Sequence, residues 1–186
     1  MDRWLFYSQN QWAGWGYWTD YFAWFLAVWG LGILAALLLL RWFFPGADPR
    51  RERQTVLLAV AAAIIAVGLN ELPELFLYRE RPYMSLPEAF NLLGGKPSSS
   101  FPSEHGTGGF ALALVMSWES RLWGWLSWPV ALGMAWARVY AGAHYPSDML
   151  AAFVISFLAA GLLLGLRGEL EPALDRVLKA LPGNRT

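Results

Sequence analysis

An all-α integral membrane protein is the fold class this sequence predicts, and three observations predict it. Of the 186 residues, 56% are hydrophobic and 15% charged, far from the composition of a soluble domain. Mean hydropathy is +0.35. The chain carries 12 tryptophans, and indoles favour the zone where an apolar ring meets headgroups and water. The same composition excludes other classes. Lys and Arg number 14, as do Asp and Glu, so no basic face is large enough to neutralise a run of phosphates and nucleic acid is not the partner. Without cysteine, disulfide frameworks, thiolate zinc sites and cysteine nucleophiles are ruled out.

A single domain over 1–186 is expected, in three parts. Residues 1–20 lack a basic stretch followed by an apolar core, so they do not read as a signal peptide; Trp4, Trp12, Trp15 and Trp18 suit an interfacial segment. Residues 21–166 form the transmembrane bundle. A bilayer core roughly 30 Å thick needs about 20 apolar residues, and the charges along the chain divide this stretch into about five spans. The first is 21–40, between Asp20 and Arg41. The second is 54–70, expected to continue past Pro73 to about Tyr78 with a proline kink. The third, 106–118, is short and spans only if its start near Ser103 and His105 sits below the membrane surface or in a locally wet interior. The fourth and fifth are 122–137 and 149–166. In the tail, 167–186, Leu170, Leu174, Val177, Leu178 and Leu181 recur at helical spacing behind Pro172, which predicts an amphipathic cytoplasmic helix.

Orientation follows from the cations. Five spans place Arg41, Arg50, Arg51, Arg53, Arg121, Arg167, Arg176, Lys179 and Arg185 on one side, against Arg3, Arg79, Arg81, Lys96 and Arg138 on the other; nine against five makes the first side cytoplasmic.

The remaining polar residues gather on the outer side. There the chain reads Tyr78-Arg79-Glu80-Arg81-Pro82-Tyr83, Phe101-Pro102-Ser103-Glu104-His105, and Arg138 through His144 to Asp148, and both histidines lie in these loops. Any one of the arginines alone would pass for a topology anchor. Together they supply what phosphoryl transfer needs: cations for the equatorial oxygens, a nucleophile, and an acid for the leaving oxygen. Arg81 and Arg138 can fork onto phosphoryl oxygens, while Ser103 and the backbone N–H groups of Glu104 and His105 would form an anion site at a helix N-terminus. His144 precedes Asp148 by four residues, so the carboxylate can orient the imidazole as nucleophile, leaving His105 to protonate the leaving oxygen. A zinc site built from His105, His144 and Asp148 is the rival, with too few ligands and repulsive arginines beside it; histidines merely packed between helices are another. Glu71 and Glu74 read as interface carboxylates, Tyr83, Tyr140 and Tyr145 as interface aromatics, and Gly94-Gly95-Lys96 as a flexible loop without the Gly-Lys-Ser/Thr of a Walker motif.

The three blocks resemble the signature of the type 2 phosphatidic acid phosphatase (PAP2) superfamily, which also includes vanadium haloperoxidases. Lys-x6-Arg-Pro ends here at Arg81-Pro82, Pro-Ser-Gly-His appears as Pro102-Ser103-Glu104-His105, and Ser-Arg-x5-His-x3-Asp appears as Ala137-Arg138 through His144 and Asp148. The resemblance implies a helical bundle with His144 as nucleophile, Asp148 as its partner and His105 as general acid. It implies Arg81, Ser103 and Arg138 as phosphate ligands, with the backbone of Glu104 beside them, and requires no metal or other cofactor. Glu74 falls where the family has Lys, Ala137 where it has Ser, and Glu104 where it has Gly. Arg79 is expected to replace the missing cation as a substrate ligand, aligned by Glu74, with Lys96 the other outer-face cation in the neighbourhood. The strings Phe-Pro-Ser-Glu-His and Arg-Glu-Arg-Pro-Tyr look like the bacitracin-resistance branch of bacterial undecaprenyl-diphosphate phosphatases. That branch implies a plasma-membrane enzyme with an extracytoplasmic site. Its substrate would be a polyprenyl diphosphate whose tail stays in the bilayer, cleaved through a phosphohistidine. The alternatives are another lipid phosphate (phosphatidate, phosphatidylglycerophosphate, a lipid A phosphate) or a non-catalytic lipid-phosphate carrier.

Overall fold

The computed structural model describes residues 1–95 and 97–181. The described residues form eight helices: α1 (Asp2–Asn10), α2 (Tyr17–Phe43), α3 (Pro49–Glu74), α4 (Pro82–Ser85), α5 (Glu104–Glu119), α6 (Arg121–Tyr140), α7 (Pro146–Gly165) and α8 (Arg167–Ala180). Among the described residues the fold is all-α. Three helices, α2, α3 and α7, are long and apolar enough to cross a membrane by themselves. Two further long helices complete the bundle: α5 packs against α3, α6 and α7, and α6 packs against α2 and α5 while leaving Leu122, Trp125 and Leu132 exposed. The apolar α2 presents Trp24, Trp29, Leu39 and Leu40 outward, as a lipid-facing surface requires. The second span ends sooner than its composition predicts. Helix α3 stops at Glu74 and turns at Leu75 and Phe76, so 75–81 are free to leave the bundle and approach the site.

Close packing here relies on small residues, because between lipid-bathed helices contact rather than hydrophobic exclusion drives association. Ala111 and Ala113 on α5, Ala131 on α6 and Ala152 on α7 are wholly buried. At Gly109 a Cβ would press on the terminal methyl of Met134, which would have to shift to make room. A polar seam crosses the same core. Thr107 donates its hydroxyl to Asn70 Oδ1 at 3.1 Å, and Ser156 donates to the Thr107 carbonyl at 2.7 Å, joining α5 to α3 and α7.

Both ends of the bundle are pinned. At one end Arg41, wholly buried, pairs with Glu52 and donates to the Met116 carbonyl at 2.9 Å. Helix α3 begins there with Asp48 as its cap and Pro49 in the first turn, where a missing N–H costs nothing. The amphipathic α8 lies across this end through Arg50–Asp175 and a 2.8 Å bond from Gln54 to Asp175. At the other end α1 docks through Asn10. Its amide donates to the carbonyls of Phe90 (2.9 Å) and Tyr140 (2.8 Å) and accepts from the Phe90 N–H (2.8 Å). Trp4, Trp12, Trp15 and Trp18 stay exposed, as an interfacial segment requires. Tyr140 and Tyr145 differ from expectation: both are buried under α1 rather than lying at a membrane interface. Residues 182–186 of the expected tail, Arg185 included, lie outside the described residues.

Candidate active site

Three chain segments converge beside the N-terminus of α5. The stretch after α3 pairs with the stretch before α5: Glu80 bridges Ser99, and the Ser100 N–H donates to the Arg79 carbonyl at 2.7 Å. That short pairing sets Arg81 against Ser98, whose hydroxyl accepts from Arg81 Nε at 3.1 Å. Ser103 then caps α5, accepting from the Gly106 N–H at 3.3 Å, so the first amides of α5 open towards the site. The third segment leaves α6 through Gly142, whose φ of +83° suits glycine alone and whose hydrogen would, as a methyl, meet the Phe90 carbonyl. This turn brings His144 back under Arg138, with both Ala143 and His144 N–H groups bonded to the Arg138 carbonyl.

A cavity of about 250 Å³ results, lined by Glu74, Arg81, Ser98, Ser99, Pro102, Glu104, His105, Arg138 and His144. Arg81, Glu104, His105, Arg138 and His144, from the three sequence blocks, thus line one cavity. Ser103 is buried at the cap just behind the lining.

His144 is 2% exposed and its orientation is fully specified. Nδ1 lies 2.7 Å from the Ser100 carbonyl oxygen. A carbonyl only accepts, so Nδ1 carries the proton and Nε2 the lone pair. Arg81 Nη1 and Arg138 Nη2 approach Nε2 at 3.1 and 3.2 Å, and two guanidinium donors facing one nitrogen require it to be an acceptor. Burial lowers the imidazole pKa to about 4, with Asp148 opposing the shift and Arg138 and Arg81 adding to it. The ring is therefore neutral at pH 7. Asp148, expected to hold the imidazole, stands 3.8 Å from Nδ1. It acts there as a charge rather than as a hydrogen-bond acceptor.

Two expectations about the missing lysine are revised. Arg79 is not among the residues lining the cavity. Its guanidinium donates to Asp148 Oδ1 (2.6 Å), Ser147 Oγ (2.7 Å) and Asp2 Oδ2 (2.5 Å). Its ionic partners are thus Asp2 and Asp148 and not Glu74, which lines the cavity itself. Asp148 and Asp2 lie within reach of its guanidinium, and these are the carboxylates that Arg79 meets. Lys96 lies outside the described residues. Ala137, in place of serine, is wholly buried.

Sequence reasoning missed Ser98, Ser99, Ser100 and Asp2. The serines stand directly before the Phe101-Pro102 block, and that adjacency was the available signal. Ser100 acts through its carbonyl, which residue type does not encode, and nothing local marks Asp2.

Residues 54–171 match the model of the PAP2 superfamily. The chain belongs to the PAP2 superfamily. Among its PAP2 relatives, undecaprenyl-diphosphatase BcrC of Bacillus subtilis (strain 168) is 28% identical over 155 residues, 83% of this chain and 78% of the relative. YbjG of Escherichia coli (strain K12), provisionally named an undecaprenyl-diphosphatase, is 37% identical over 122 residues, 64% of this chain and 56% of the relative. The crystal structure of Aquifex aeolicus LpxE superposes with a TM-score of 0.74, covering 88% of this chain and 94% of that one at 24% identity, and so shares the PAP2 fold.

Proposed function

We propose that this PAP2 protein is an undecaprenyl-diphosphate phosphatase, releasing phosphate from the lipid diphosphate and leaving undecaprenyl phosphate. The observation that carries the phosphatase reading is the pair of arginines on the lone pair of a neutral, buried His144. A phosphoryl group presented there would have its equatorial oxygens beside both guanidiniums. The Nε of Arg138 is buried without a hydrogen bond, a donor for which a phosphoryl oxygen is the fitting acceptor. The names of the relatives supply the lipid.

In the first half-reaction His144 Nε2 attacks the terminal phosphorus, the bond to the bridging oxygen breaks, and His105 protonates that oxygen as undecaprenyl phosphate departs. The anionic substrate itself favours the imidazolium that His105 needs. In the second, His105 takes a proton from water, whose oxygen displaces His144 and yields inorganic phosphate. The first amides of α5 at Glu104 and His105, with the Ser103 hydroxyl, add neutral donors for the phosphoryl oxygens. The excess of cations between α2 and α3 and after α7 supports a cytoplasmic opposite end, so the site would face the extracytoplasmic side of a bacterial plasma membrane.

The test offers purified protein undecaprenyl diphosphate, phosphatidate and phosphatidylglycerophosphate in parallel, with EDTA present. Undecaprenyl diphosphate should give the highest kcat/KM. If it is the poorest of the three, the lipid assignment fails; if none releases phosphate, the enzyme reading fails in favour of a carrier.

A further inference from the structure

We infer that Asp2 and Arg79 are positioning residues: Asp2, acting through Arg79, holds Asp148 in place beside His144. Asp148 is wholly buried, and a buried carboxylate persists only where donors and a countercharge replace its water. Its Oδ2 accepts from the Tyr145 N–H at 2.7 Å and its Oδ1 from Arg79 Nη1 at 2.6 Å. Arg79 is in turn fixed from three directions. Its guanidinium carbon lies 3.8 Å from the centroid of the Tyr145 ring, close enough for cation–π attraction. Nη1 also reaches Ser147 Oγ, and Nη2 reaches Asp2.

Asp2 closes the network from a helix far away in sequence. Its carboxylate accepts from the Ser147 N–H at 3.0 Å and the Ser147 hydroxyl at 2.6 Å. Those bonds and Arg79 hold its pKa below the ordinary carboxylate value although burial acts the other way. Asp2 thus stays charged at neutral pH. The helix that carries it is fastened at the other end by Asn10 and in the middle by Phe6, wholly buried with its ring 5.8 Å from that of Tyr145. Asp2 is therefore delivered to Arg79 by a docked helix. Arg79, expected to compensate for the missing family lysine, has a different task, because both its terminal nitrogens are committed to protein oxygens.

The kinetic arm of the test rests on the phosphatase reading above; the spectroscopic arm does not. With undecaprenyl diphosphate, Asp2→Asn should lower kcat ~5-fold and Arg79→Gln at least ~10-fold, each with KM within ~2-fold of wild type. Asp2→Asn should cost less than ~2-fold further in the Arg79→Gln background, since the two act as one unit. Asp2→Glu should restore at least half of the kcat lost in Asp2→Asn. The chain has 2 histidines, so a ¹⁵N-imidazole spectrum of the ligand-free protein reads both. The His144 signals should move in Asp2→Asn and in Arg79→Gln, with those of His105 unmoved. A raised KM at unchanged kcat, losses that multiply, or unmoved His144 signals would overturn the inference. Should the wild type hydrolyse no lipid phosphate, the proposed function falls and the imidazole spectrum still decides the positioning role.

Discussion

His144 gives its Nδ1 proton to the carbonyl oxygen of Ser100 across 2.7 Å. A backbone carbonyl neither titrates nor rotates away, so the tautomer of this imidazole is set by the loop that also carries the cavity wall. In the proposed mechanism Nε2 is therefore the nitrogen that would receive the phosphoryl group.

His144→Ala should reduce lipid-phosphate turnover by at least ~10³-fold. Labelled phosphate trapped during turnover should be acid-labile and mapped to His144. Label recovered on His105 would exchange the two roles.

His105→Ala should depend on the leaving group. A lipid phosphate needs its departing oxygen protonated, so the loss should fall in the general-acid range of roughly 10²–10⁴-fold. p-Nitrophenyl phosphate needs little help and should be hydrolysed nearly as well as by wild type. Equal losses on both substrates would argue against a general acid.

Burial lowers the pKa of His144 from 6.5 to about 4. The folded value is the depressed one, so the unfolded chain binds the extra proton first. The stability this neutral ring contributes is complete above 6.5 and is lost as pH falls towards 4. At pH 6 the imidazole of His144 should still be neutral by ¹⁵N NMR in the free protein. An imidazolium signal at that pH would contradict the burial argument.

Sidedness can be read with single cysteines, since the chain has none of its own. Glu88 is exposed beside the loop that packs on α1, and Ala47 is exposed between α2 and α3 at the opposite end. In intact cells a membrane-impermeant thiol reagent should label Glu88→Cys and leave Ala47→Cys unmodified. The reverse pattern would invert the topology.

Gly142→Ala should cost about 1–3 kcal/mol, because a side chain would sit at positive φ and against the Phe90 carbonyl. A lower melting temperature in detergent, with reduced activity since His144 hangs from this turn, is the expected result. A melting temperature equal to wild type would refute the strain argument.

Much of this site was legible in the sequence because its chemistry is concentrated in short blocks. Arg81, His105, Arg138 and His144 stand in motifs whose spacing survives folding, and the structure sets them around one cavity. What escaped detection is of two kinds. Ser100 contributes a backbone atom, which any residue would supply, so no residue type signals it. Asp2 and Arg79 are 77 positions apart, and only the docking of α1 makes them neighbours. The helices were legible in the same uneven way: α2 and α7 announce themselves by uninterrupted apolar length, whereas the end of α3 was placed too late, at Tyr78 instead of Glu74. Apolar Leu75, Phe76 and Leu77 read as more helix, yet they are exposed after the chain has turned.

The seam of Asn70, Thr107 and Ser156 has a mechanical consequence. Rotating α5 by a single residue, or sliding it by one turn, would leave hydroxyl and amide groups stranded among methyls, at about 1–3 kcal/mol for each orphaned group. Helices α3, α5 and α7 are thereby keyed to one another like wards in a lock. Thr107 stands three residues after Glu104, so the seam also holds the first turn of α5, where Glu104 and His105 line the cavity, in register with α3 and α7.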